Sequence, residues 1–354
     1  MVLEVPPRSA AAYDVKEYAV VRPPDVADGA QGNDWMRRVA LIYNPASGQR
    51  PERRNAILAN VLAVFQGAGI DMKLIATDAP ASAGRLALEA IAGGCDTILA
   101  CGGDGTVHEA MQQMVGGEAV LGVIPMGTAN ALAVDLGLPR SPVKAARMLL
   151  DAAPERVSVG RVSYRDAEGN DCWRYFVVAA GIGADGLFFS RLDSRLKQRF
   201  GYAAYLIEAF RMAFTHTFPL FRATFTPTGS DVRETAEISQ ILAVRIGNFG
   251  GLVNRLVPGA AIANENLHVL AFKTRSRMRY LRFMAEVMLQ RHKYTHPIEL
   301  VDCSSVECSD LPGATLPSYV EADGELLGTL PVRIEVVPRA LTLLIPRKTR
   351  RPTA

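Results

Sequence analysis

The hydrophobic positions of this chain change their period along its length, and the change predicts its elements. From Arg37, RRVALIYNP is a short apolar run closed by Asn-Pro, the pattern of a buried strand feeding a loop. In PERRNAILANVLAVFQGAGI, the residues Ile57, Leu58, Val61, Leu62 and Phe65 fall on one helical face and glycine follows, which predicts a helix. DMKLIATDAP predicts a second strand and SAGRLALEAIAGG a second helix. CDTILACGGDG, TVHEAMQQMVGG and AVLGVIPMG continue as strand, helix and strand. Strands apolar on both faces that alternate with helices imply a parallel sheet covered by helices, an α/β domain over residues 37–160.

Beyond that point the pattern shortens. RVSVGRVSYRD, YFVVAA, LFRATFTPT, ISQILAVRIGN, LHVLAFK, PIELVDCSSVEC, PVRIEVVP and LTLLIP are β-rich runs, several of them alternating and separated by turns. They fit an antiparallel sheet or sandwich over residues 161–336, interrupted by helical stretches near 192–214 and 276–292. Residues 1–36 lack periodicity and read as an N-terminal extension, and 348–354 as a basic tail.

Composition narrows the function classes. A chain of 354 residues that is 49% hydrophobic can fill two cores. A net charge of +3 gives no support for a nucleic-acid partner. The five cysteines, Cys95, Cys101, Cys172, Cys303 and Cys308, show no CxxC spacing and fit neither a disulfide framework nor a zinc site, which points to a reducing cytoplasm. The N-terminus lacks the basic start and apolar centre of a signal peptide, and no run reaches the roughly eighteen apolar residues of a membrane span. The expectation is a cytoplasmic protein, soluble or attached peripherally to a membrane.

Four loops follow the strands of the first domain: NPASGQR at 44–50, Thr77 with Asp78, GGDGT at 102–106 and PMGTANA at 125–131. All are built of small residues, and a helix start follows most of them, so backbone N–H groups can approach a phosphate. Ligands of such sheets gather at the carboxyl ends of the strands. The GxxxxGK[ST] pattern of a P-loop is absent. Gly102, Gly103 and Gly105 supply close approach, Thr106 a helix-capping hydroxyl, and Asp104 a carboxylate suited to magnesium. A tight turn with a capped helix is the plainer alternative for GGDGT alone; four such loops at one sheet edge weigh against it. GIGADG at 181–186 matches GxGxxG, yet a dinucleotide fingerprint should open the first βαβ unit, and this one sits mid-chain.

GGDGTVHEA, with NPASG upstream and IPMGTANALA downstream, resembles the diacylglycerol kinase catalytic family, which includes bacterial lipid kinases, sphingosine kinases and ceramide kinases. AAGIGADGLF, RLKQRFGYAAYL, IGNFGG and VEADGE extend the resemblance over residues 37–347. It implies a nucleotide-binding α/β domain followed by a β-sandwich-like lipid domain, with the segment 337–347 returning to the first. It also implies ATP as phosphoryl donor and Mg2+ as cofactor. By the same resemblance Asn44, Gly48, Thr77, the three GGDGT glycines, Thr106 and Thr128 hold the nucleotide, Glu109 and Asn130 shape its site, and Asp104 meets the metal. Asp185 is implied as a substrate-binding residue and Asp323 as the general base, with Glu325 to orient it or to touch the metal. A hairpin turn is the alternative for the DGE segment, and a stabilised glycine turn for Asp185.

The chain departs from the family in places. His108 replaces an asparagine common in bacterial members, although histidine occurs in sphingosine-kinase-like ones, and Ala131 stands where many have aspartate. In PGAAIANENLHV, Ala263, Asn264, Glu265 and His268 replace acidic residues that hold a structural magnesium in some relatives, and should bind a hard cation poorly. KTRSRMRYLRFMAEVMLQRHK at 273–293 and the 192–214 stretch mix basic and apolar residues at helical spacing. That suits a helix on anionic lipid, and equally an amphipathic helix on a core. The expected partners are a membrane lipid, the membrane surface and, as an open alternative, a second copy of the chain; nucleic acid is not among them. The expected function is an ATP-dependent lipid kinase acting on a hydroxyl of diacylglycerol or of a sphingoid or ceramide-like lipid. An NAD kinase-like enzyme and a non-catalytic nucleotide-binding module are the alternatives.

Overall fold

The computed structural model describes residues 36–46, 51–166, 168–183, 218–230, 232–250, 256–294 and 296–347. Residues 1–35 of the extension, Gly48, Asp185, the 192–214 stretch and the basic tail lie outside the described residues, whereas Met36 is buried in the first core.

Strands β1 (Arg38–Tyr43), β2 (Asp71–Ala76), β3 (Thr97–Gly102) and β4 (Val120–Pro125) form the parallel sheet in the order β2-β1-β3-β4. Leu41 of β1 lies opposite Leu74 on one side and Leu99 on the other, and β3 and β4 are buried along their whole length. Helices α1 (Pro51–Gln66), α2 (Ala83–Ala92), α3 (Asp104–Gln112), α4 (Ala131–Asp135) and α5 (Pro142–Leu150) fall between or after these strands. Leu58, Val61 and Phe65 of α1, Leu86 of α2 and Leu149 of α5 join the sheet in one apolar core. β1, β3 and β4 are buried on both faces, as their apolar runs predict, whereas β2 at the sheet edge is largely exposed.

Two long strands leave this core for a second one. β5 (Ala152–Arg165) and β15 (Val332–Pro346) pair antiparallel from Pro346 opposite Ala152 to Arg333 opposite Ser163. Thr342 and Leu343 pair in parallel with β4, whereas residues 332–335 pair with β12 (Ile298–Asp310). PVRIEVVP and LTLLIP, separate runs in the sequence, are therefore one strand, with a register break between Val337 and Leu341 and Arg339 at φ 49°. The break lets one strand serve two cores at different twist.

The second unit is antiparallel and β-sandwich-like. β6 (Asp171–Phe176), β7 (Ala179–Ile182), β8 (Phe221–Pro227), β9 (Glu234–Ile238), β10 (Gln240–Val244), β11 (Leu267–Phe272), β12, β13 (Tyr319–Ala322) and β14 (Glu325–Thr329) close around Phe176, Ile182, Phe225, Ile241, Val306 and Ile334. β7 runs antiparallel to both β10 and β13, so the GIGADG stretch follows no βαβ unit and the dinucleotide reading fails. Helix α6 (Arg277–Met288) starts at Ser276, whose hydroxyl accepts from Arg279 N at 3.4 Å, and packs Tyr280, Phe283 and Val287 against Phe218 and Phe272. Among the described residues no helix is long and apolar enough to cross a membrane.

Candidate active site

The loops at the carboxyl edge of the parallel sheet are tied to one another by backbone contact. Gly103 and Gly127 face each other so closely that a Cβ on Gly127 would run into the Gly103 Cα. Asn130, at φ 52°, brackets the second loop: its side-chain oxygen accepts from Gly127 N at 2.9 Å and its amide donates to Gly127 O at 2.8 Å. The Asp104 carboxylate crosses between the loops and accepts from Asn130 N at 2.9 Å and Ala131 N at 2.6 Å. Burial pushes the Asp104 carboxyl above its usual range, opposed by those two N–H groups.

The other nucleotide candidates divide in the same way. Asn44 folds its side chain back onto Ala46 N at 2.7 Å, and Thr77 N donates to Tyr43 O at 2.9 Å, joining the loops after β1 and β2. Glu109 accepts from Ala81 N at 3.1 Å and Ala83 N at 3.2 Å, fixing the start of α2. Burial pushes Glu109 up, and those bonds oppose it. Thr128 is exposed. Thr106 does not cap the helix as expected: Gly103 holds the capping position of α3, and the Thr106 hydroxyl is buried beneath Gly102. Among the described residues Gly105 has nothing within 4 Å of where its Cβ would be, which leaves the first turn of α3 clear of them there. A helix start stripped of side chains is where an anion meets N–H groups and the positive end of the dipole.

Asp104, His108 and Gln112 are spaced by four and form one stripe along α3. The stripe leads from the loops to the second unit. The Gln112 side chain accepts from Tyr175 N at 3.0 Å and donates to Tyr175 O at 2.8 Å, clamping β6 to the helix. His108 is 4% exposed and lies between the two carboxylates of the DGE turn: Nδ1 is 3.3 Å from Asp323 Oδ2 and Nε2 is 3.1 Å from Glu325 Oε2. The sequence reading named Asp323 and Glu325 as catalytic candidates and His108 only as a departure from the family, and foresaw neither their contact nor the part of Gln112.

Asp323 and Glu325 meet different surroundings. Asp323, at φ 49°, turns the β13–β14 hairpin, with Gly324 following at φ 85°. Its Oδ1 accepts from Val178 N at 2.9 Å and Ala179 N at 3.0 Å; its Oδ2 accepts from Val177 N at 2.9 Å and faces His108. A carboxylate has about four lone-pair sites, and all are filled here. Glu325 is 40% exposed on its side chain and is held from one side, by Arg174 Nη2 at 3.1 Å and by His108. Burial alone would push the Glu325 carboxyl up; the hydrogen bond from His108 and the charge of Arg174 outweigh it and hold the group down at about 2.

Sequence reasoning missed several holders of this arrangement. Asp135 accepts from Gly247 N at 3.0 Å and Asn248 N at 2.9 Å, fastening α4 to the IGNFGG segment. Its signal was a lone carboxylate in the apolar run ALAVDLGL. Arg245 is fully buried, and its guanidinium donates to the carbonyls of Ser158 at 3.1 Å, Ile262 at 3.2 Å and Asn264 at 2.6 Å, and to that of Asn266. Burial lowers it to about 10. It thereby organises the loop carrying Ala263, Asn264 and Glu265. His268, next in register, sits 2.6 Å from Asp302 Oδ1.

A parallel α/β sheet with an open helix start is thus joined by two strands to a β-sandwich-like unit carrying Asp323 and Glu325, in a two-core arrangement. The chain matches the diacylglycerol kinase catalytic domain over residues 38–162 and the YegS C-terminal NAD kinase beta sandwich-like domain over residues 177–345. It belongs to the diacylglycerol kinase-like lipid kinase family. A diacylglycerol kinase of Mycobacterium tuberculosis (strain CDC 1551 / Oshkosh) is 29% identical over 320 residues, 88% of this chain and 96% of that one. One of Bacillus subtilis (strain 168) is 26% identical over 316 residues, 88% and 98%. The fold is shared with a crystal structure of a diacylglycerol kinase from Bacillus anthracis str. Sterne, at 20% identity and a TM-score of 0.62 over 87% of this chain and 97% of that one.

Proposed function

We propose that this kinase transfers the γ-phosphoryl group of ATP to a hydroxyl of a membrane lipid, diacylglycerol or a sphingoid or ceramide-like lipid. The observation that carries the reading is the single helix α3, open to phosphate at Gly105 and in contact with the DGE turn through His108. In the step, the acceptor oxygen forms a bond to the γ-phosphorus while the bond to the β–γ bridging oxygen breaks and ADP leaves. We assign the departing hydroxyl proton to Glu325 and a positioning role to Asp323, reversing the roles expected from the sequence. Asp323 has no lone pair to offer, whereas Glu325 is open on one side. A carboxylate held near 2 is a weak base. In a loose phosphoryl-transfer transition state it serves by orienting the hydroxyl and taking a proton released late.

Asp104 fits a magnesium ion shared with the phosphates: each oxygen keeps a lone pair, and a cation beside it would offset the burial that raises it. Among the described residues no three His, Cys, Asp or Glu side chains stand together as a metal cage. Such an ion, when bound, neutralises charge on the transferring group. We assign Thr77, Thr128 and Gly105 to the border of the phosphate space, since all three follow strands at the carboxyl edge of the parallel sheet. We also assign α6 to the membrane surface, because Arg275, Arg279 and Arg282 are exposed beside Met278 and Leu289.

Incubation with γ-labelled ATP, magnesium and mixed micelles offering diacylglycerol, sphingosine, ceramide and NAD in parallel tests the reading. Label in one lipid product supports it and names the acceptor. Label in NAD alone, or in no product while ATP binds, contradicts it.

A further inference from the structure

We infer that His108 is a positioning residue for phosphoryl transfer: as an imidazolium it ties Glu325 to the immobile Asp323 and so fixes the carboxylate that meets the acceptor hydroxyl. The inference rests on the lipid-kinase reading. Its geometric basis is that both ring nitrogens face carboxylate oxygens, Nδ1 at 3.3 Å from Asp323 and Nε2 at 3.1 Å from Glu325. A neutral imidazole has one donor and one acceptor nitrogen, and either tautomer would point a lone pair at a carboxylate; only the doubly protonated ring satisfies both. Gln112 Nε2 also lies 3.4 Å from His108 Nε2, but its two amide hydrogens have nearer acceptors in the carbonyls of Tyr175 at 2.8 Å and of His108 at 3.3 Å, and the Glu325 oxygen at 3.1 Å is the nearer partner of Nε2.

Asp323 is the fixed end of this link. Three backbone N–H groups from the start of β7 and the residues before it hold its carboxylate in place. Glu325 is the more exposed end, and its second holder among the described residues is Arg174, through Nε at 3.3 Å and Nη2 at 3.1 Å. Without the ring, Arg174 would draw Glu325 towards β6. The charged and titratable groups facing the ring are Asp323 and Glu325 from the hairpin, Arg174 from β6 and Glu109 from α3, with Asp104 reaching it through Asp323. Burial alone would lower the His108 imidazole, but the hydrogen bonds to Asp323 and Glu325 outweigh it and raise the group to about 9.

The test compares full-length wild type with His108→Gln, which keeps one donor, and His108→Ala. Turnover on the lipid acceptor is measured against pH in mixed micelles with ATP, alongside imidazole titration by NMR. The chain has five histidines, His108, His216, His268, His292 and His296, so the His108 resonance is assigned by its loss in His108→Gln. Expected are a charged ring at pH 8, an alkaline limb of kcat near pH 9 that the Gln variant lacks, and a kcat loss in that variant of roughly 10- to 100-fold, the size seen when a supporting hydrogen bond is removed. The KM for ATP should stay within about twofold, a margin below half a kcal/mol. A neutral ring at pH 8 overturns the inference whatever the acceptor proves to be, and so does unchanged kcat with the same alkaline limb in His108→Gln. If wild type binds ATP and phosphorylates no lipid, the lipid-kinase reading falls and the catalytic role of His108 falls with it; the NMR titration still separates that outcome from a mistaken ring state.

Discussion

Asp323 and Glu325 are two positions apart in one turn, and the difference in their partners separates their chemistry. Replacing Asp323 by Asn places an amide where three backbone N–H groups and His108 point. At least two of those donors lose their acceptor, so Asp323→Asn is expected to destabilise the fold by about 1–3 kcal/mol, read as a lower melting temperature, and to lower turnover through the turn. An unchanged melting temperature would remove the anchoring role. The same site sets the response to pH. His108 is raised to about 9, above its unfolded value, so its contribution is complete below about pH 6.5 and is lost as pH climbs through 9. Glu325 is depressed to about 2, so its contribution holds above about pH 4.5 and is lost as pH falls towards 2. Denaturant unfolding across pH should show both losses in wild type, and His108→Gln should flatten the alkaline one.

At the scale of elements, α3 is the link, since its first turn is the proposed phosphate site and its stripe faces the hairpin. Gly105 and Gly127 give opposite expectations there. Gly105 sits in a helix with open space around it, so Gly105→Ala should leave stability equal or raise it by up to about 1 kcal/mol. Its methyl would stand where phosphate approaches, weakening nucleotide binding about tenfold. Gly127→Ala forces two backbones apart and should cost about 1–3 kcal/mol. Thermal melts with and without nucleotide check both; a Gly105→Ala protein that binds ATP as tightly as wild type would move the phosphates elsewhere. The alternation of strands and helices was readable because the inner strands β1, β3 and β4 are apolar on both faces and need cover there. The antiparallel runs were readable as strands, but not that β15 serves two cores, because the break at Val337–Leu341 looks like a loop in the sequence. The candidate residues were found by motif, while their bonds were not: His108 and Asp323 are 215 positions apart, and nothing local encodes that pairing. Nor does a motif show that Asn130 and Glu109 spend their side chains on neighbouring loops.

For the whole molecule, β5 and β15 act as a strut between the cores, and Gln112 and His108 add side-chain links across the same divide. Helix α6 packs its apolar side on a third cluster, around Phe218 and Phe272, distinct from the core of the β-sandwich-like unit, and leaves its basic face exposed. If that face docks on membrane, the chain should sediment with vesicles containing anionic lipid and not with neutral ones, and salt should weaken the association. The charge-reversed pair Arg275→Glu and Arg279→Glu should abolish it without lowering the melting temperature, since both residues are exposed. Equal binding by that variant would assign the surface elsewhere. The central claim, that a phosphate site and an acceptor site are joined across α3 with Glu325 receiving the proton, has one direct measurement: single-turnover transfer from γ-labelled ATP to lipid by Glu325→Gln and wild type, with ATP affinity measured on the same preparations. The account predicts transfer lowered at least about a hundredfold with ATP affinity unchanged. Transfer at the wild-type rate would contradict it.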